Sequence, residues 1–210
     1  MVTDAGSQSA HAAVRPAEPG GRSRAARTKK AILDATRELL AEGGVHQLTV
    51  EGVAARSGVA KTTIYRRWRG KHELALAVLL DMVAKVVAVP DLGDTRKELV
   101  GFVDGAVKIL GSTLMGRVMQ GLVSDLATDR ALAQGFRDNV VAMRIGEVRR
   151  VVERGIARGD LRPDTDVELA HELLFGPVYY RLLLSGGALD KVLAERIVDA
   201  VLPSIRAETQ

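Results

Sequence analysis

Val50-Glu-Gly-Val-Ala-Ala-Arg-Ser-Gly-Val-Ala-Lys-Thr-Thr-Ile-Tyr-Arg-Arg-Trp68 is the stretch that decides how the chain is read. Thr49 precedes a helical pattern in which Val50, Val53 and Ala54 fall at i, i+3 and i+4 and share one face. Gly58, directly after Ser57, supplies the residue that tolerates a left-handed stop. A second helix opens near Ala60 or Lys61. At about 100° per residue, Ala60, Ile64 and Trp68 fall on one face of it, with Thr62, Arg66 and Arg69 opposite. Lys61 and Tyr65 flank the polar face on one side, Thr63 and Arg67 on the other. Two short helices, a glycine turn and a basic second helix read as a helix-turn-helix, the second helix shaped for a DNA groove. A plain amphipathic helix with a solvated basic face is the competing reading. It accounts for the charges but not for the turn and the helix lengths that accompany them.

Working outward, a helix is expected from about Ala25 to Glu42, with Ile32, Ala35, Leu39 and Leu40 facing inward and Gly43-Gly44 ending it. Lys71 opens a long helix carrying Leu74, Ala77, Val78, Met82 and Lys85 up to Pro90. Further helical periodicity runs over Thr95 to Gly111, Leu114 to Ala127, Arg130 to Arg158, Val167 to Ser185 and Leu189 to Arg206, between Gly, Pro, Asp or Ser stops. The fold class is therefore all-α, with about nine helices and no strand. Residues 1–21, rich in Ala, Gly, Ser and Pro, hold too few large apolar groups to offset ordering and are expected to be disordered. A three-helix DNA-binding domain is expected over 22–72 and a larger helical domain over 73–210.

Charge follows the same division. Residues 22–72 hold twelve Lys and Arg against four Asp and Glu, about +8, whereas residues 73–210 hold 17 against 20. Such asymmetry suits one module that displaces counterions from phosphates and another that does not. Arg22, Arg24, Arg27, Lys29 and Lys30 lead into the first helix, and on a flexible arm they would screen phosphates or enter a minor groove. The chain has no cysteine, which removes disulfides, thiolate metal sites and a cysteine nucleophile. Its longest apolar stretch, Leu74 to Leu80, is far short of the roughly 20 residues that span a bilayer. With no apolar signal region near the N-terminus, a cytoplasmic protein without membrane contact is expected.

The stretch from about Arg24 to Leu74 resembles the DNA-binding domain of the tetracycline-repressor (TetR) family. The resemblance is carried by Ile32-Leu-Asp-Ala-Thr-Arg-Glu-Leu-Leu, Ala41-Glu-Gly-Gly, Leu48-Thr-Val, Val53-Ala-Ala, Ser57-Gly-Val, Thr63-Ile-Tyr and Lys71-His-Glu-Leu. It covers about a quarter of the chain by motif; the remainder is similar only in length and helical character. It implies that Lys61, Thr62 and Thr63 approach base edges or phosphates, that Tyr65 offers its hydroxyl to phosphate and that Lys71 contacts phosphate from the next helix. Arg66 and Arg67 are natural phosphate partners, and Arg66 is also able to read a guanine bidentately. Thr49 and Thr62 each have a second reading as helix-terminal caps. Two departures stand out: Ala60 where a capping Ser is common, and Trp68 in place of the usual Phe.

The resemblance further implies a homodimer through the last two long helices and a small-molecule cavity whose occupancy changes the separation of the recognition helices. Here those helices are Val167 to Ser185 and Leu189 to Arg206, with Leu169, Leu173, Val178, Ile197, Val198 and Val201 as packing candidates. Phe102, Met115, Met119, Leu122, Phe136, Met143, Phe175 and Tyr179 are the candidate pocket residues for a small apolar effector, with ordinary core packing the competing reading for each. Pro177, inside a helix, frees a backbone carbonyl near Leu173.

No catalytic constellation is found. His171-Glu172 lacks the second His of a zinc-protease helix, and His11, His46 and His72 show no ligand spacing. Arg158-Gly-Asp160 reads as a helix C-cap. No metal, no cofactor and no enzymatic activity are expected. The expected function is a sequence-specific transcriptional regulator, by family habit a repressor, released from a pseudo-palindromic operator by its effector. The alternatives are a sequence-independent architectural DNA-binding protein, or a small-molecule carrier or enzyme on the same scaffold.

Overall fold

The computed structural model describes residues 19–84 and 89–207, with side chains from Arg24 onward. The chain forms α1 (Pro19–Gln47), α2 (Val50–Ser57), α3 (Lys61–Tyr65), α4 (Lys71–Val83), α5 (Thr95–Ser112), α6 (Leu114–Thr128), α7 (Arg130–Phe136), α8 (Ala142–Arg158), α9 (Val167–Tyr180) and α10 (Lys191–Ile205). Residues Arg137–Val141 continue α7 into α8 through a π turn, in which the Ala142 N–H reaches back to the Arg137 carbonyl. Counting that run as one, the described residues form nine helices. No strand forms among them; a single β-bridge joins Leu161 to Arg206.

The termini are set by local chemistry. Thr49 caps α2, its side chain accepting from the Gly52 N–H at 3.0 Å. Gly58 ends that helix at φ 67°, a left-handed angle at which any Cβ would be strained. Asp94, Asp129, Asp166 and Asp190 cap α5, α7, α9 and α10 in the same way as Thr49. Gly159 closes α8 at φ 80°, so the Arg158-Gly-Asp160 segment is the expected C-cap.

Several boundaries differ from the sequence expectation. Helix α1 starts at Pro19, not Ala25, so residues 19–21 are helical; residues 1–18 lie outside the described residues. Proline suits a first helical position because the missing N–H would have no partner there anyway. Arg24, Arg27, Lys29 and Lys30 thus project from a helix and not from a flexible arm. The first helix breaks at Gly44 (φ 65°), the expected stop, and a short turn to Gln47 follows. Helix α4 ends at Val83; residues 85–88 lie outside the description, and Val89 and Pro90 are non-helical. The last helix starts at Lys191 because Asp190, not Leu189, supplies the cap. Val167 to Ser185 is continuous as expected, although a second π turn occupies Arg181–Ser185.

The N-terminal helices close over Ile32, Leu40, Val53, Ile64, Leu74 and Val78, each with no exposed surface. In the larger half, α8 and α9 pack beside α5, and α10 lies along α5. The two halves are joined by α6, against which both α1 and α4 pack. At this joint a Cβ on Gly121 would stand 2.8 Å from Val45, so the side chain of Val45 seats directly on α6 backbone. His72 Nε2 lies 3.3 Å from Asp125 Oδ2 across the same joint.

A charged cluster ties α5 to the end of α8. Fully buried Glu98 accepts from Arg154 at 2.7 and 2.9 Å and lies 3.2 Å from Arg158. Arg158 also donates to Thr95 and to Asp160, and Thr95 donates to Asp160 at 2.7 Å. The Thr95 hydrogen bond, followed by the Arg158 contact, holds the Asp160 carboxyl below its ordinary pKa. No single helix among the described residues is long and apolar enough to cross a membrane.

Candidate functional site

The surface formed by α2 and α3 is built from one buried and one exposed face. Ile64 and Trp68 are buried, the Ile64 carbonyl accepting from the Arg67 and Trp68 N–H groups just beyond the helix. Ala60 is exposed and opens α3 without any side-chain cap, as the missing serine implies. Opposite Ile64, the side chains of Tyr65, Arg66 and Arg67 are exposed and make no hydrogen bond or ion pair with any described residue. Thr62 is exposed beside them.

The other candidate contacts are partly committed within the protein. Lys61 Nζ lies 3.3 Å from Glu51 Oε1, an exposed pair that a stronger anion is able to displace. Lys71 Nζ donates to the His46 carbonyl at 3.1 Å, which steadies the turn after Gly44 and leaves two ammonium protons for another acceptor. Thr49 is engaged as the α2 cap. Thr63, half-buried, lines a cleft of about 490 Å³ together with Arg24, Thr28, Val59, Arg66 and Arg67. Three arginines around one cleft, with α1 on one wall and α3 on the other, form a concave basic surface suited to a phosphodiester chain. Arg56, by contrast, is spent on Glu42 at 2.7 and 3.0 Å, clamping α2 to α1.

The candidate pocket residues divide. Phe102 lines a cavity of about 260 Å³ with Gly101, Gly105, Leu92 and Arg144. Tyr179 lines a separate cleft of about 640 Å³ with Gln120, Tyr180 and Leu182–Leu184. Met115, Met119, Leu122, Phe136, Met143 and Phe175 line neither; Met115, Met119, Leu122 and Phe175 belong to the core, and half-buried Phe136 and Met143 pack against it. Phe102 and Phe175 meet edge to face with centroids 5.2 Å apart, and the His171 ring stacks on Phe175 at 4.9 Å. Arg144 sits 5.6 Å from the Phe102 ring centre. Burial, then the Arg144 charge, holds the His171 pKa below its ordinary value, and burial holds the Tyr179 hydroxyl above its own.

Sequence reasoning passed over Arg144 and read His171 as a surface or core residue in preference to a metal ligand. A signal was present for Arg144: positions 144, 148, 151, 152 and 155 form one helical stripe whose other members are Val148, Val151, Val152 and Gly155. An arginine on an apolar stripe is a buried arginine.

On the outer side of α9 and α10, Leu173, Pro177, Arg181, Leu193, Ile197 and Val201 line a groove of about 490 Å³. Leu169 is 49% and Leu173 43% exposed, whereas Val178 and Val198 are wholly buried and belong to the protomer core. Pro177 therefore faces this groove and not the Phe102 cavity.

The geometry agrees with what the chain is similar to. Residues 32–78 match the family described as bacterial regulatory proteins, tetR family, and residues 89–201 match the tetracyclin repressor-like C-terminal domain. The chain is 32% identical over 186 residues to the HTH-type transcriptional regulator YdeS of Bacillus subtilis, covering 89% of this chain and 92% of that protein. It is 30% identical over 173 residues to the DNA-binding transcriptional repressor TetR of Mycobacteroides abscessus, covering 82% and 90%. The crystal structure of the TetR-family regulator SCO0332 superposes with a TM-score of 0.74 at 33% identity, covering 85% of this chain and 98% of that one. With a helix-turn-helix at one end, a helical body at the other and matches spanning both, the chain belongs to the TetR family of DNA-binding transcriptional regulators.

Proposed function

We propose that the protein acts in the cytoplasm as a homodimeric repressor that seats two copies of α3 in successive major grooves of a pseudo-palindromic operator. The DNA-binding unit spans residues 22–72 and the regulatory unit residues 73–210. The reading is carried by Tyr65, Arg66 and Arg67, exposed and making no hydrogen bond or ion pair with any described residue, beside buried Ile64 and Trp68. In it, Thr62, Thr63 and Arg66 reach base edges, while Tyr65, Arg67 and Lys61 contact phosphate. Thr49 and Lys71, already holding local backbone, add phosphate contacts at the rim. Half-sites about 34 Å apart require two such helices at fixed separation, which a dimer through α9 and α10 supplies. The exposed Leu169 and Leu173 beside the α9–α10 groove support that interface. A small ligand bound in the regulatory half shifts α6, and with it α1 and α4, and so releases the operator.

Selection of bound duplexes from a random DNA library, followed by salt-controlled titration of the enriched sequence, tests this reading. A two-fold-symmetric site bound by two protomers is the expected result. Enrichment of no sequence would replace it with an architectural role. No binding to any DNA would leave only a carrier or enzyme on this scaffold.

A further inference from the structure

We propose that the effector carries a carboxylate on a small apolar body and that the Arg144 guanidinium is its counter-ion. The inference rests on the ligand-responsive reading above and adds the chemical class of the ligand. Arg144 is only 8% exposed, and it makes no hydrogen bond or ion pair with any described residue. Its contact is the face of Phe102, which attracts a cation but satisfies none of the five N–H donors. Two carboxylates lie near: Glu98, which lines the same cavity but has its charge matched by Arg154 and Arg158, and Glu147, which is paired with Arg150. A guanidinium stays charged at any physiological pH, so burial leaves a positive charge with no hydrogen-bonded counter-ion among the described residues; Glu147 acts on it only through space.

His171 shares the same apolar cluster and the same condition. It is 8% exposed, and neither ring nitrogen has a partner. Native interiors rarely leave such groups unpaired without a reason in function. Arg144 lines the 260 Å³ cavity, which opens to solvent past exposed Gly101 and Leu92. Phe102, Gly101, Gly105 and Ala106 give it an apolar wall and Leu92 an apolar rim. A volume at the small end for ligand sites fits a monocyclic or short acyl body. Lys97 also lines the cavity but is paired with Asp94 at 3.0 Å, so Arg144 matches the single charge of a carboxylate through two parallel hydrogen bonds, whereas a phosphate monoester, with nearly two charges, would need a second unpaired cation.

The test uses the full chain, with benzoate, phenylacetate and hexanoate as probes and benzyl alcohol, 2-phenylethanol and hexanol as uncharged counterparts. Binding is measured by calorimetric titration, and release of the library-selected duplex by fluorescence anisotropy. At least one carboxylate is expected to bind ten-fold or more tightly than its alcohol. Arg144→Met is expected to erase that preference, and Arg144→Lys to restore part of it. Thermal melting of both variants verifies that they are folded. Equal binding of acid and alcohol, a preference that survives Arg144→Met, or no binding by any carboxylate overturns the proposal. An alcohol that releases DNA equally from wild type and Arg144→Met would overturn the anion site while leaving ligand response intact. An Arg144-dependent carboxylate that leaves DNA binding unchanged would do the reverse.

Discussion

Arg66 and Arg67 at the DNA-facing end, and Arg144 in the regulatory core, are the same chemical group without a protein partner, yet their environments give them opposite meanings. Arg66 and Arg67 stand in water, where an unpaired guanidinium is fully hydrated and its side chain free. Arg144 has lost most of that hydration and gained a ring face in return. A third pair, Arg154 and Arg158, completes the comparison: also partly withdrawn from water, they share buried Glu98 and are satisfied by it. Unpaired charge at a surface signals a partner that arrives by diffusion and is held loosely by many contacts. Unpaired charge in a core signals a tenant that enters and is held by few.

The comparison can be broken most severely at Glu98. Glu98→Ala strips half-buried Arg154 of its nearest carboxylate, leaves Arg158 with Asp160 and Asp91, and is expected to cost about 1–3 kcal/mol in urea unfolding. A loss below about 1 kcal/mol would show that the α5–α8 cluster is solvated and not structural. Arg144→Met takes the same step in reverse. With no bound anion, removing a buried charge that has no hydrogen-bonded counter-ion is expected to stabilise the protein by about 1 kcal/mol or more. Destabilisation would mean that Arg144 already has its partner.

His171 supplies a test by pH. Its folded pKa lies below the ordinary value of about 6.5, so below that pH the unfolded chain takes up a proton that the folded chain refuses. Stability is therefore expected to fall as pH drops through about 6.5, by no more than about 1.4 kcal/mol per pH unit, and to level off below the folded pKa. Above about pH 7.5 the group contributes nothing. Urea melts of His171→Phe at pH 7.5, 6.5 and 5.5 should lack this part of the slope; identical slopes in both proteins would place His171 in contact with water. The smallest effect on stability belongs to Arg66→Ala and Arg67→Ala, within about 0.5 kcal/mol of wild type. Their signature lies in DNA titrations, where each phosphate contact removed lowers the salt slope by about one. An unchanged slope for both would take these residues off the interface.

What was legible in the sequence was what depends on neighbours along the chain. Gly58 as a left-handed stop, Thr49 as a cap, Gly159 after Arg158 and the unpartnered Ala60 all follow from local backbone geometry. The stripe of Ile64 and Trp68 predicted which side of α3 is buried, although Ala60 on the same stripe is exposed because α3 has only begun there. The π turns at Arg137–Val141 and Arg181–Ser185 left no trace, since the residues are ordinary helix formers and the wider turn follows from packing. The cavity was only half legible. Aromatic residues marked its neighbourhood, yet six of the eight candidates line neither the Phe102 cavity nor the Tyr179 cleft, because whether a large side chain lines or fills a space depends on how helices cross. Gly101 and Gly105 are among the lining residues of the Phe102 cavity, and an absent side chain carries no signal in a single sequence.

The seat of Val45 on Gly121 bears on how fast the molecule is able to respond. A contact without an intervening flexible side chain has no slack to absorb, so a displacement of α6 reaches the turn before Thr49 almost undiminished. In the proposed release of the operator, such a joint makes a rigid-body swing the expected response, on the order of microseconds to milliseconds, and not the melting and reforming of a domain.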